Sequence, residues 1–223
     1  MALAVSSRLL LALPVLLAVA ACGADNIYAT DAEVSRAAYV DPTDPPYVTL
    51  FTVINNQNNS GAHSGLLING SQRVLFDPAG TWFSPNAPER HDLHYGITDP
   101  ILRFYVDYHA RQSYRVLEQT VPVSLETANR LIALAEANGA VNKAYCSVSI
   151  SSMLDQIPEF RPVVRTTWFP KTLSKEFAKL PGVSEIVVFD NDSNDHRDML
   201  LGNAQGAGAA ETAAAGFQDV KTP

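Results

Sequence analysis

The chain is poor in positive charge and in cysteine. Its 223 residues include 16 lysines and arginines against 23 aspartates and glutamates, for a formal net charge of -7 at pH 7. An acidic surface argues against nucleic acid as a partner, because binding to phosphates depends on clustered basic side chains. Beyond the N-terminal segment, no stretch is long and apolar enough to predict a membrane-spanning helix. Only two cysteines occur, Cys22 and Cys146.

The N-terminal segment has the pattern of an export signal. Arg8 precedes the apolar run 9–19, which is short for a bilayer span, and small residues then lead to Cys22. This arrangement resembles the lipobox of bacterial lipoproteins, in which the cysteine becomes the first mature residue and carries lipid. We expect lipidation of Cys22; the alternative is cleavage of an ordinary signal nearby. Gly23 follows in place of aspartate, which in Gram-negative lipoproteins implies the outer membrane, facing the periplasm.

The rest of the chain is long enough for one domain with a hydrophobic core. A composition of 47% hydrophobic and 17% charged residues is typical of a globular protein. We predict a signal peptide over 1–21, a tether and N-terminal arm over 22–46, a domain over 47–201 and an Ala/Gly-rich, disordered tail over 202–223.

A β-hairpin is predicted to bring a histidine close to a carboxylate. Two strand-like segments are joined by Asn69-Gly70, the strongest short hairpin signal in the chain. His63 begins the first segment and Asp77 ends the second, so both lie far from the turn. Antiparallel pairing then places the two side chains near each other.

Cys146 lies at the predicted start of a helix over 146–157. The dipole at a helix N-terminus and a neighbouring imidazole both favour a thiolate, the form of cysteine that acts as a nucleophile. A cysteine in the first turn also leaves its own N–H free to face an oxyanion. His63 would move the proton and Asp77 would fix the histidine tautomer. These three residues are the candidate catalytic set; the simpler alternative for Cys146 is an apolar core residue.

Whether Cys22 is lipidated affects the chemistry of the Cys146 thiol. If Cys22 carries lipid, Cys146 cannot form an intramolecular disulfide, and a free thiol in an oxidising compartment is a liability unless it is used or buried. If Cys22 is not lipidated, a Cys22–Cys146 disulfide is the alternative. We consider the disulfide less favoured, because Cys22 would lie on an untethered terminus.

These motifs resemble those of a known family. The segment from His63 to Pro78 is similar to the histidine hairpin of the NlpC/P60 superfamily of papain-like cysteine peptidases, and Tyr145-Cys146-Ser147 is similar to its helix-opening cysteine. In the commoner members the cysteine helix comes before the histidine strands. Here it follows them, so the resemblance is to the circularly permuted branch. That branch includes the YiiX- and YaeF-like bacterial proteins, some of them lipoproteins, and the lecithin:retinol acyltransferase-like proteins.

The resemblance covers about residues 47–157, with clear motifs only around the three candidate residues. It departs from the family at Ser64, where an apolar residue is usual, and across 79–120, which is mostly unmatched. The resemblance implies an α+β fold of permuted papain-like type, with a small antiparallel sheet and the cysteine-bearing helix packed on one face.

The resemblance also implies a function. Cys146 would be the nucleophile, His63 the general base and acid, and Asp77 the orienting acceptor of a thiol-dependent hydrolase or acyltransferase that works through an acyl-enzyme. No metal or organic cofactor is expected. The wider superfamily suggests a peptidoglycan peptide as substrate, and the permuted branch suggests an acyl-lipid; the membrane would be reached through lipid at Cys22. The non-enzymatic alternatives are an inactive envelope-binding module, with Cys146 out of reach of His63, and a structural lipoprotein with a sealed thiol.

Other polar stretches predict simpler structures. Residues 82–94 are predicted to form a surface loop, so His91 and His94 are interpreted as loop residues rather than metal ligands. Residues 190–195 begin like a calcium loop but lack the glycine at its sixth position, which predicts a solvated loop. Helices are also predicted over 99–108, 125–138 and 171–180, and strands over 47–54, 114–123 and 185–189.

Overall fold

Five helices and seven strands form an α+β fold in the computed structural model, which describes residues 27–197 and 199. The strands are β1 (Tyr47–Asn55), β2 (Gly61–Asn69), β3 (Arg73–Phe76), β4 (Glu89–Arg90), β5 (Leu93–Tyr95), β6 (Tyr114–Pro122) and β7 (Ser184–Phe189). The helices are α1 (Asp31–Ala37), α2 (Asp99–His109), α3 (Leu125–Asn138), α4 (Cys146–Leu154) and α5 (Pro170–Phe177). The predicted signal peptide and C-terminal tail lie outside the described residues.

The strands form one antiparallel sheet in the order β4-β5-β3-β2-β1-β6-β7. It is larger than the small sheet predicted from the sequence. The predicted hairpin is confirmed as β2 and β3, whose last pair is Asn69 with Arg73, so the turn spans three residues, 70–72. Among the described residues, no helix is long and apolar enough to cross a membrane.

The two faces of the sheet carry separate cores. Alternate residues of a strand point to opposite faces. Leu66 on β2 therefore packs with α3, α4 and α5, whereas its neighbour Leu67 packs with α2. By the same alternation Ser64 faces α4, and His63 and Gly65 face α2. This division decides which helix each site residue meets.

Helices α2 and α3 begin and end within one residue of their predicted bounds, whereas α4 and α5 end three residues earlier than predicted. Ser124 caps α3 by accepting a hydrogen bond from the N–H of Thr127 at 3.0 Å, and Gly139 follows the helix with a φ of 73°. The serine-rich α4 ends at Leu154, earlier than predicted. Because serine has a low helix propensity, packing of buried side chains such as Ile150 holds α4 in place.

The prediction of a surface loop over 82–94 is wrong. Residues Glu89–Tyr95 form a β-hairpin at the edge of the sheet, and its turn residues His91 and Asp92 have φ values of 50° and 66°. Two consecutive residues at positive φ make the tight turn that suits the twist of a two-stranded hairpin. The strands are too short to show periodicity in the sequence. Helix α1 was also not predicted, although Thr30 and Glu33 form a capping box at its start.

Two leucines on α3 allow a matched test of this packing. Leu131 is fully buried against the sheet and Leu125 is 50% exposed. We expect Leu131→Ala to lower the free energy of unfolding by about 2–5 kcal/mol, because it leaves a cavity. Leu125→Ala should change it by less than about 0.5 kcal/mol. Urea denaturation measures both; equal losses would contradict the described position of α3.

Candidate active site

His63 and Asp77 meet at the open end of the β2–β3 hairpin. Nε2 of His63 lies 2.7 Å from Oδ1 of Asp77, as the hairpin register predicts. Asp77 directly follows β3, while the pairing of β1 with β2 shifts by one residue just before His63, since Val53 pairs with His63 and Ile54 with Gly61. Such a β-bulge changes the direction of nearby side chains.

Asp77 is buried and receives a second hydrogen bond on the same oxygen. The residue is 2% exposed, and the hydroxyl of Tyr105 on α2 donates to Oδ1 at 2.8 Å. Two glycines make room for this arrangement: a Cβ on Gly65 would overlap the Tyr105 hydroxyl, and a Cβ on Gly80 would overlap Oδ2 of Asp77. The sequence indicates Tyr105 as a residue of the core or of the cleft lining, but not as a partner of Asp77, because only the packing of α2 shows which way its side chain points.

The electrostatics of the pair favour a charged histidine. Burial by itself lowers the pKa of His63, but the charge and hydrogen bond of Asp77, with a smaller effect of Cys146, raise it to about 10. Burial raises the pKa of Asp77, but the opposing charge and hydrogen bond of His63 bring it well below its ordinary value. At neutral pH the pair is therefore an imidazolium and a carboxylate.

Cys146 is the first residue of α4, and its thiol lies close enough to His63 for the imidazole to lower the thiol pKa. Burial raises the pKa of the thiol, yet the net pKa is lowered by the hydrogen bond and charge of His63, the backbone N–H of Ser64 and the hydroxyl of Ser147. Because Nε2 of His63 is bonded to Asp77, Nδ1 is the ring nitrogen left for the thiol. The hydroxyl of Ser64 also forms a hydrogen bond with that of Ser147 across 3.1 Å.

The backbone before Cys146 shapes the start of the helix. Ala144 has a φ of 72°, a conformation that is uncommon outside glycine, and Tyr145 is the cap residue. Since Cys146 occupies the first helical position, its N–H has no partner within the helix. An N–H there is suited to bind an oxyanion formed at the thiol.

A cavity of about 330 Å³ opens beside His63. Among the described residues its lining includes His63, Tyr108, His109, Arg111 and His196 but not Cys146. The thiol is itself only 7% exposed. The cavity therefore gives access to the His63 imidazole, whereas the Cys146 thiol is not part of its lining.

Three exposed aromatic side chains lie near Cys146, and we call them the aromatic rim: Tyr145, Trp168 and Phe169, which are 42%, 51% and 68% exposed. Tyr145 precedes the thiol in the chain, and its ring lies 4.5 Å from that of Trp168. The segment that carries Trp168 is held against α4, because Oγ of Ser151 accepts a hydrogen bond from the N–H of Thr167 at 2.9 Å. Sequence patterns did not indicate this rim.

His91 and His94, which the sequence analysis interprets as loop residues, lie in two different environments. The ring of His91 packs near Tyr28, whereas His94 is buried against Trp82. Burial lowers the pKa of His94 to about 4, so it is neutral. Cys22 lies outside the described residues.

Comparison with protein-family models, with curated proteins and with solved structures gives no match for this chain. The functional assignment therefore rests on the geometry of Cys146, His63 and Asp77 and on the motifs that carry them.

Gly65 can be tested through its contact with Tyr105. We expect Gly65→Ala to lower the free energy of unfolding by about 1–3 kcal/mol, because the added methyl group displaces the Tyr105 hydroxyl from Asp77. In a Tyr105→Phe background the hydroxyl is absent, and the same change should cost less than half as much. Urea denaturation of the four proteins gives the coupling; equal costs in both backgrounds would contradict this role of Gly65.

The protonation of His63 is open to direct titration by NMR of the imidazole nitrogens. We expect His63 to stay protonated from pH 6 to pH 9 and to lose its proton near pH 10. Asp77→Asn removes the largest influence that raises the pKa while burial still lowers it, so the pKa of His63 should fall well below its value in the unsubstituted chain. His94 is the internal reference, because it should remain neutral throughout this range. Deprotonation of His63 near pH 6.5 in the unsubstituted chain would contradict the ion pair.

Proposed function

We propose that this protein is a thiol-dependent hydrolase or acyltransferase that acts on amide or ester bonds through an acyl-enzyme. The observation that carries the proposal is the position of the Cys146 thiol near His63, whose imidazole is itself paired with buried Asp77 at 2.7 Å. A lowered thiol pKa, an imidazolium and a buried carboxylate are the three parts that nucleophilic cysteine catalysis needs.

The chemistry proceeds in two halves. The Cys146 thiolate attacks the substrate carbonyl carbon, and the carbonyl electrons move to oxygen, where the N–H of Cys146 stabilises the charge. As the oxyanion collapses, the bond to the leaving group breaks, and the leaving group takes the proton from Nδ1 of His63. In the second half His63 removes a proton from water or another acceptor, which attacks the thioester and releases Cys146 as a thiolate. Asp77 remains a carboxylate throughout and orients the ring.

We assign the fold to the permuted papain-like type. Three features support the assignment: the histidine strand precedes the cysteine helix in the chain, the sheet is antiparallel, and α4 packs on the sheet at β2. Ser64, which departs from the family, has a local role in this chain because its N–H and hydroxyl contact Cys146 and Ser147.

The substrate classes remain a peptidoglycan peptide and an acyl-lipid. The aromatic rim favours the acyl-lipid, because Trp168, whose ring packs on that of Tyr145 next to Cys146 in the chain, and Phe169 offer exposed apolar surface. We further propose that lipid on Cys22 holds the protein at the bacterial envelope, in the outer membrane facing the periplasm. This part rests on the sequence of residues 1–23 alone.

An inactive envelope-binding module is the second candidate, and one observation favours it. Cys146 is only 7% exposed and does not line the cavity beside His63. The contact between Cys146 and His63 argues against this candidate, since an inactive module would have no need of an assembled ion pair. Thiol reactivity distinguishes the two.

The test uses a Cys22→Ser chain, in which Cys146 is the only thiol. We expect iodoacetamide to label Cys146 rapidly at pH 6–7, well below the ordinary thiol pKa, and His63→Ala to slow labelling at least tenfold. His91→Ala, a histidine outside the site, is the matched control. Labelling that is slow, or that does not depend on His63, would support the binding module.

Acyl transfer is then tested by intact-protein mass spectrometry. Incubation with p-nitrophenyl acyl esters or with peptidoglycan stem peptides should add one acyl mass to the chain. The adduct should be absent from Cys146→Ala and present in Ser147→Ala, which removes a neighbouring hydroxyl but keeps the thiol. An adduct that survives Cys146→Ala would exclude Cys146 as the nucleophile.

A further inference from the structure

We propose that His63, Asp77 and His109 form a binding site for a zinc-class divalent cation, in which the metal-bound form and the His63–Asp77 hydrogen bond exclude each other. One nitrogen or oxygen atom from each residue lies within 4.8 Å of the others. Two imidazoles and one carboxylate are a ligand set that zinc and related ions prefer. The proposal does not depend on the catalytic function.

His109 is the residue that the catalytic arrangement leaves unused. Its ring stacks on that of His63, with centroids 5.5 Å apart and planes 9° from parallel. Nδ1 of His109 lies 2.9 Å from the carbonyl oxygen of Tyr105, and since a carbonyl only accepts, Nδ1 carries the proton. Nε2 therefore holds the lone pair. A metal-binding histidine is commonly oriented in this way, by a hydrogen bond from its second nitrogen.

A cavity gives access to both imidazoles. His63 and His109 both line the cavity of about 330 Å³, which provides a route for the ion and space for water on its remaining positions.

Asp77 has an unused oxygen. Oδ1 accepts hydrogen bonds from His63 and Tyr105, whereas Oδ2 is buried with no hydrogen-bond partner among the described residues. A buried carboxylate oxygen without a partner is costly, and a cation near it removes that cost. The Tyr105 hydroxyl would support Asp77 as a ligand, as outer hydrogen bonds do in metal sites.

Metal binding breaks the hydrogen bond between His63 and Asp77. Nε2 of His63 uses its proton to bond Oδ1 of Asp77 at 2.7 Å, and the same nitrogen must give up that proton to bind the ion with its lone pair. The hydrogen bond is therefore lost in the metal-bound form, and no electron is transferred.

A second group of three side chains, all of them aspartates, serves as the control. Oxygens of Asp107, Asp190 and Asp192 also lie within 4.8 Å of one another. The guanidinium of Arg111 already pairs with Asp107 at 3.7 Å and with Asp192 at 3.2 Å, so part of the negative charge is compensated. Carboxylates alone also suit zinc less well than imidazoles do.

Zinc titration by calorimetry at pH 7.5 tests the site, in the full chain with Cys22→Ser. We expect one zinc ion to bind, His109→Gln to weaken binding at least tenfold, and Cys146→Ala and Asp190→Asn to leave the affinity within about threefold. The absence of binding at millimolar zinc would overturn the proposal. So would loss of binding in Cys146→Ala with retention in His109→Gln, which would place zinc on the thiol, and so would loss in Asp190→Asn.

NMR of the imidazole nitrogens in a chain that keeps all its histidines gives a second readout, which does not depend on whether a histidine variant folds. Zinc should shift the Nε2 resonances of His63 and His109, while those of His94 stay unchanged. Shifts confined to His91 or His196 would overturn the assignment.

Discussion

The buried ion pair of Asp77 and His63 is the interaction on which the site depends. A carboxylate that is 2% exposed must be compensated, because an uncompensated buried charge costs several kcal/mol. His63 supplies the opposite charge at 2.7 Å and Tyr105 supplies a second hydrogen bond. Gly65 and Gly80 leave the space that both contacts need. The raised pKa of His63 then favours the thiolate of Cys146.

The two faces of the sheet contribute different residues to this site. His63 belongs to the face covered by α2, which contributes Tyr105 and His109, whereas Cys146 begins a helix on the opposite face. The imidazole approaches the thiol near the start of β2, beyond the pair Leu66–Phe76, which is the pair of β2 and β3 farthest from the turn. It is therefore reached from two sides: the cavity beside His109 on one, and the thiol beside the aromatic rim on the other. The proposed acyl transfer uses the side that faces the thiol, and the proposed metal binding uses the side that faces His109.

Local sequence signals predicted the parts of the fold that depend on short-range chemistry. Asn69-Gly70 indicated the hairpin, Ser124 and Gly139 marked the ends of α3, and the position of Cys146 before a helical segment indicated the start of α4. The β4–β5 hairpin was missed because strands of two and three residues are too short for an alternating pattern. Its turn depends on positive φ at His91 and Asp92, which neither residue type signals clearly.

The sequence by itself determined the candidate residues Cys146, His63 and Asp77 and the proximity of the last two, because a hairpin fixes its own register. Tertiary structure alone decided what surrounds them. Tyr105 and His109 lie on α2, and their approach to Asp77 depends on how that helix packs across β2 and β3. The low exposure of the thiol and the aromatic rim likewise arise from contacts between segments distant in the chain. Such contacts depend on the packing of whole faces, which no local pattern encodes.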